Sequence, residues 1–311
     1  MKYYYRIYGL NIRSEVRLDE AYEIREKNYE VDIQYGTIPS HIWKYRNSDE
    51  IQCLTSYDYK WFQYDKIGEF YIEQGSSIIL AADASADERV LRSILLGPCF
   101  GCILYQRKIL AIHGSAMVKN DTAVMISGQS GAGKSTISTA LRKQGWLFLA
   151  DDTVAITSEN GYLYANPAYP QQKLCLDTAT YFGYDVKQLI RINEERHKYA
   201  INVKEAFCPD RKEIKAMICL ELSDCKELMI DEVKGSAKIE YIVNNLYTYY
   251  DFKYMGMSTL DFMQCLEISQ KVPVFRIKRP PVLDTQKEIV DFINRCIDNT
   301  YIVDEKQEYI T

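Results

Sequence analysis

Gly128-Gln129-Ser130-Gly131-Ala132-Gly133-Lys134-Ser135 is the stretch on which the reading of this chain turns. Its spacing, G-x-x-x-x-G-K-S, is that of a phosphate-binding loop. Such a pattern carries meaning between a strand and a helix, and both are legible here. Residues 123–126, Ala-Val-Met-Ile, form a short apolar run suited to a buried strand. From Thr136 to Gln144 the pattern is helical, with Ile137, Ala140 and Leu141 on one face. In a loop of this kind the glycines let successive N–H groups converge on phosphate oxygens. The following helix adds its unpaired amides and the positive end of its dipole. Lys134 reaches the β- and γ-phosphates as a point charge, and Ser135 is placed to ligate the Mg²⁺ that bridges them. Gly128 through Ser135, with Thr136 behind them, are thus the expected contacts for ATP and Mg²⁺. The bland reading is a Gly-rich turn before a helix.

Downstream, Gly145 ends the helix and residues 146–150 form a strand that runs into Asp151-Asp152. An acidic pair there sits where the ligand crevice of an α/β sheet opens. Asp152 can accept a proton from an attacking hydroxyl while Asp151 holds Mg²⁺ directly or through water. The alternative is that the pair serves the metal alone. Upstream, residues 109–118 read as one strand and 119–121 as a turn, so His113 is expected on a strand paired with the loop strand. A histidine there is either a satisfied core residue or part of the site.

Farther out the signals weaken. Residues 2–10, 29–35 and 70–80 read as strands, the last folded at Glu73-Gln74-Gly75-Ser76. The first ninety or so residues are therefore a small, mainly β region, in which His41 and Trp43 read as structural. Residues 87–105 read as helical, in one piece or two. Beyond the Asn160-Gly161 turn, residues 181–207 are polar and read as an irregular or helical insertion. Residues 214–222 and 272–277 are strands, and helices follow Ser236, Ser258 and Thr285. Thr285 with Glu288 suggests a capping box. From Asn299 the tail reads as frayed.

Composition narrows the function classes. A net charge of −5 over 311 residues argues against a nucleic-acid-binding surface across the whole molecule. No apolar run is long enough to span a bilayer, and the start of the chain has no signal-peptide core, which points to the cytoplasm. Nine scattered cysteines, with one C-x-x-C pair at Cys99 and Cys102, read as buried thiols in a reducing compartment.

Taken together, His113-Gly114-Ser115, the loop, and Gly145 through Asp151-Asp152 resemble the catalytic domain of HPr kinase/phosphorylase in order and spacing. The surrounding chain, with its Tyr-rich Gly9-Leu10 start and Leu95-Leu96-Gly97, is more similar to HPr-kinase-related peptide kinases found with lasso-peptide biosynthesis. The resemblance implies an α/β, phosphoenolpyruvate carboxykinase-like P-loop kinase core at 89–300, after an N-terminal β region at 1–88 that recognises substrate; 301–311 are the tail. It implies ATP-dependent phosphorylation of a serine on a peptide or protein, such as the precursor of a ribosomally made, lasso-type peptide. Asp152 would be the proton acceptor, His113 and Lys134 active-site residues, and Ser135 and Asp151 the metal-binding pair. Arg211 would assist phosphate transfer, with Lys198 its rival. Thr136 stands where the family has a glutamate, and no carboxylate precedes Asp177 in the segment nearest the family's second metal-binding element. A regulatory nucleotide-binding module without transfer activity and a small-metabolite kinase are the alternatives. Neither a nucleic acid nor a membrane is an expected partner, and an oligomer is compatible with the sequence.

Overall fold

The computed structural model describes residues 1–45, 53–56, 58–193, 198–247, 256–281 and 284–298. Among them the chain is mixed α/β, with two large sheets, a small one, and helices between and outside them. The tail from residue 299 lies outside the described residues.

The central sheet is organised by the loop strand. It contains β9 (Leu110–Ile112), β10 (Gly114–Lys119), β11 (Thr122–Gly128), β12 (Leu147–Ala150), β13 (Val154–Glu159) and β14 (Tyr162–Ala165). It is completed by β18 (Lys212–Leu222), β19 (Met229–Val233) and β20 (Val274–Arg279). The order β12-β10-β11-β18-β14-β13-β9 places β11 between antiparallel β10 and parallel β18, and β20 pairs parallel with β18. The carboxyl ends of β11, β18 and β20 therefore open on one edge, in register Gly128 beside Leu220 beside Ile277. Gly128 has to be glycine, since a Cβ there would lie 2.1 Å from the Leu220 carbonyl oxygen.

Alternation along these strands divides the core in two. Val124, Ile126, Ile218, Leu220 and Ile277 face α3 (Lys134–Lys143) and the C-terminal helix (Gln286–Ile297). Ala123, Met125, Met217 and Cys219 face the other way, into a cluster with α1 (Glu88–Ile94) and α2 (Phe100–Gln106). A sheet covered on both faces needs such two-sided apolar strands. On the far side of α1 and α2 lies an eight-stranded sheet made of β1 (Tyr3–Ile7), β2 (Leu10–Ser14), β3 (Tyr22–Glu23), β4 (Val31–Tyr35), β5 (Cys53–Thr55), β6 (Tyr59–Tyr64), β7 (Gly68–Glu73) and β8 (Ser77–Ala82). Ile7, Ile12, Ile33 and Ile78 of this sheet share one cluster with Leu95 and Phe100 of the helical layer and with Met125 and Met217 of the central sheet. His41 packs edge-on against Tyr59 and Tyr71, and Trp43 bonds the Ile38 carbonyl, both as structural side chains.

The structure corrects four readings. Residues 2–10 are a hairpin rather than one strand, because Tyr8 and Gly9 both take positive φ. Residues 109–118 are two strands, since β9 pairs with β13 while β10 pairs with β11, and His113 is the break between them. Within 181–207, β16 (Ile190–Asn193) and β17 (Lys198–Asn202) form a three-stranded sheet with β15 (Gln171–Cys175). Thr285 makes no side-chain cap, so the capping box is absent at that helix.

Candidate active site

The cleft forms where β11 ends and α3 begins, because Gly131 and Gly133 adopt positive φ and turn the chain back on itself. Among the described residues no acceptor meets the backbone N–H groups of Gly131, Gly133, Lys134, Ser135 and Thr136. Five unpaired donors at a helix start form a cradle for an anion. The Lys134 ammonium turns back on the loop, donating to the carbonyls of Gly128 (2.6 Å) and Gln129 (3.1 Å). Burial lowers its pKa from the ordinary lysine value, against the opposing pull of Asp151.

Opposite the loop lies the acidic pair. Asp152 adopts φ +70°, a conformation few side chains other than Asn and Asp accept. The turn it makes sends the two neighbouring carboxylates to different environments. Asp152 Oδ2 accepts from Lys173 Nζ at 3.0 Å, and that cation, reinforced by His113, holds the carboxyl well below its usual range. Among the described residues Asp151 Oδ2 accepts only the Lys173 backbone N–H, at 2.8 Å, and burial pushes its carboxyl up to about 6. Lys173 lies on β15 opposite Ala200 of β17, so the small sheet delivers one residue that bonds both carboxylates.

His113 joins them through the main chain. Its Nδ1 lies 2.9 Å from the Asp152 carbonyl oxygen, and its backbone N–H donates to the Asn245 carbonyl at 2.7 Å. A carbonyl only accepts, so Nδ1 carries the proton and Nε2 keeps a lone pair. Burial lowers the pKa of this ring even with Asp152 beside it, favouring the neutral form.

One cleft of about 220 Å³ gathers His113, the loop residues Ser130, Gly131 and Gly133 to Thr136, Asp151, Asp152, Lys173 and Lys198. Arg211 is not in its lining. Arg211 instead pairs with Glu159 and stacks on Tyr164, 4.6 Å from the ring centroid. It precedes the first residue of β18, whose other end abuts Gly128, so roughly 30 Å of strand separates it from the loop. Lys198, its rival, lies at the start of β17 in the cleft. The cleft also holds Asp177 and Thr178, from the first turn of α4 (Leu176–Tyr181).

The donor set fits a nucleoside triphosphate with a hard divalent cation. The unpaired amides and Lys134 suit phosphate oxygens, and the Ser135 hydroxyl and Asp151 carboxylate are oxygen ligands of the kind Mg²⁺ takes. Among the described residues no group of three or more His, Cys, Asp or Glu side chains could hold a metal. A cation here would thus depend on phosphate oxygens and water for its remaining ligands. No helix among the described residues is long and apolar enough to cross a membrane.

No family model matches the sequence, and no curated protein matches it. Among solved structures, the Hpr(Ser) kinase/phosphatase from Coxiella burnetii matches at 16% identity, over 61% of this chain and 88% of that one, with a TM-score of 0.32. The reading of the cleft therefore rests on its own residues.

Proposed function

We propose that this chain is an Mg·ATP-dependent kinase that phosphorylates a serine hydroxyl of a peptide or protein, on a phosphoenolpyruvate carboxykinase-like core. One observation carries the reading: the phosphate loop with Lys134 and the ionised Asp152 line the same cleft. A module that only binds nucleotide has no need of a carboxylate kept charged beside the cradle. Mg²⁺, when bound, neutralises charge on the phosphoryl group being transferred. Ser135 and Asp151 would hold it, and the loop amides with Lys134 would orient the phosphate chain. Asp152 orients the acceptor hydroxyl through its Oδ1 and takes its proton as the serine oxygen bonds the γ-phosphorus and the bond from that phosphorus to the departing ADP breaks. With Lys173 stabilising its charge it is a weak base, which suits a loose transition state in which the proton leaves late. Lys198 supplies positive charge at the mouth.

The experiment is incubation with Mg·ATP and a panel of serine-bearing peptides, including candidate ribosomal precursors, read by mass spectrometry. A phosphate mass added to serine in the wild type and lost in Asp152→Asn is the expected result. Nucleotide binding with no phosphate on any acceptor would instead favour the regulatory module, and phosphate on a small metabolite alone would favour the metabolite kinase.

A further inference from the structure

The loop has a second flank. Across β18 from β11, strand β20 ends in Arg279, whose guanidinium lies against the back half of the cradle. Arg279 Nη1 is 3.5 Å from the Ala132 carbonyl oxygen and 2.6 Å from where a Cβ on Gly133 would stand. Its Nε is buried without a hydrogen-bond partner. Among the described residues no carboxylate pairs with it. A guanidinium has five donors in a rigid fork, and among the described residues this one makes a single long bond. Leaving a charged group so under-bonded beside five unpaired amides is costly unless an anion completes it.

Its side of the loop says which part of the anion it would meet. Asp151 and Asp152 follow β12, which pairs with β10 on one side of β11, whereas Arg279 ends β20 on the other side. The reacting end of the phosphate chain belongs with the carboxylates, and the nucleoside end with Arg279.

Resting on the nucleotide reading above, we propose that Arg279 is the second cation of the cradle and binds the nucleoside-side phosphates of a bound nucleoside triphosphate. The same geometry means that a side chain at Gly133, whose φ is 102°, would displace the guanidinium from the cradle.

The test is equilibrium binding of Mg·ATP and Mg·ADP to the full chain by titration calorimetry, for wild type, Arg279→Met and Arg279→Lys, with folding checked by circular dichroism. Arg279→Met keeps most of the apolar stem and removes the charge. It is expected to weaken both nucleotides by about 10- to 100-fold, the range for a hydrogen bond to a charged group. Arg279→Lys is expected to recover part of the loss. Equal loss for ADP and ATP supports the nucleoside-side placement; loss for ATP alone overturns it. Wild-type affinity in Arg279→Met overturns the proposal and leaves the kinase reading standing. A wild-type chain that binds neither nucleotide at millimolar concentration takes down both. Should Arg279→Met not fold, Arg279→Gln replaces it, judged by the same outcomes.

Discussion

The two flanks of the phosphate loop are built on opposite plans. On the β12 flank charges are answered within the protein, Asp152 by Lys173, Asp151 by a backbone N–H, and the His113 ring by a carbonyl. On the β20 flank Arg279 stands nearly unanswered among the described residues. The first plan holds side chains in fixed positions before anything binds, which suits groups that must meet a reacting atom within a fraction of an ångström. The second leaves donors waiting, which suits a group whose task is to hold a ligand. The contrast recurs within the acidic pair, where neighbours in sequence have carboxyls shifted in opposite directions. Divergent environments for adjacent titratable groups are a mark of divided labour.

The largest effect expected on the answered flank is that of Asp152→Asn. Transfer should fall by about 10²–10⁴, the usual worth of general-base assistance, while Mg·ATP binding persists. Unchanged turnover would show that the carboxylate only supports the fold. Next comes Lys173→Met, which strands Asp152 and should destabilise the chain by about 3 kcal/mol in urea unfolding. The double variant with Asp152→Asn should regain much of that loss, and strict additivity of the two would mean the pair is not coupled.

Asp151→Asn should act in the opposite sense. The Asp151 carboxyl titrates near 6 in the folded chain against 3.8 as its reference. Folding therefore pays a penalty for the ionised form that is absent below pH 3.8, grows between 3.8 and 6, and is complete above 6. In metal-free buffer the amide should stabilise the protein by up to about 3 kcal/mol at pH 8, with the gain fading towards pH 4. Thermal melts across that range check it; a gain that grows as the pH falls would have the sign wrong. Transfer by this variant should drop all the same if Asp151 holds Mg²⁺ as proposed. The smallest effect belongs to Arg211→Ala. Far from the cleft and half exposed, it should leave transfer at the wild-type rate and move stability by less than about 0.5 kcal/mol.

The cradle was legible because its physics is local: a strand, glycines that turn, and a helix start occupy consecutive positions. The acidic pair was legible for the same reason, one helix and one strand further on. Lys173 was not, because a lone lysine in a polar stretch carries no period. Its place depends on β15 folding back over the cleft, and the strands that secure β15 are too short and charged to announce themselves. Arg279 stayed hidden likewise, at the end of a strand that reaches the loop only through β18. His113 was found but misplaced: the apolar residues on either side of His113-Gly114-Ser115 merge into one strand-like run from Leu110 to Val118, although the change of partner falls at His113. Arg211 shows the converse error, in which order along the chain stood in for position in space.

The β1–β2 hairpin sets a limit on how this protein can be cut. Its Tyr8 N–H donates to the Pro167 carbonyl at 2.7 Å, its Tyr8 ring packs on Phe100 with centroids 6.0 Å apart, and Tyr8 itself is buried. The opening residues thus act as a keystone set from outside into the wall behind the cleft. A shortened version starting at the first helix would lose that stone and bare a greasy flank of Leu95 and Phe100 to water. Whoever wants a minimal version of this chain will have to keep its beginning.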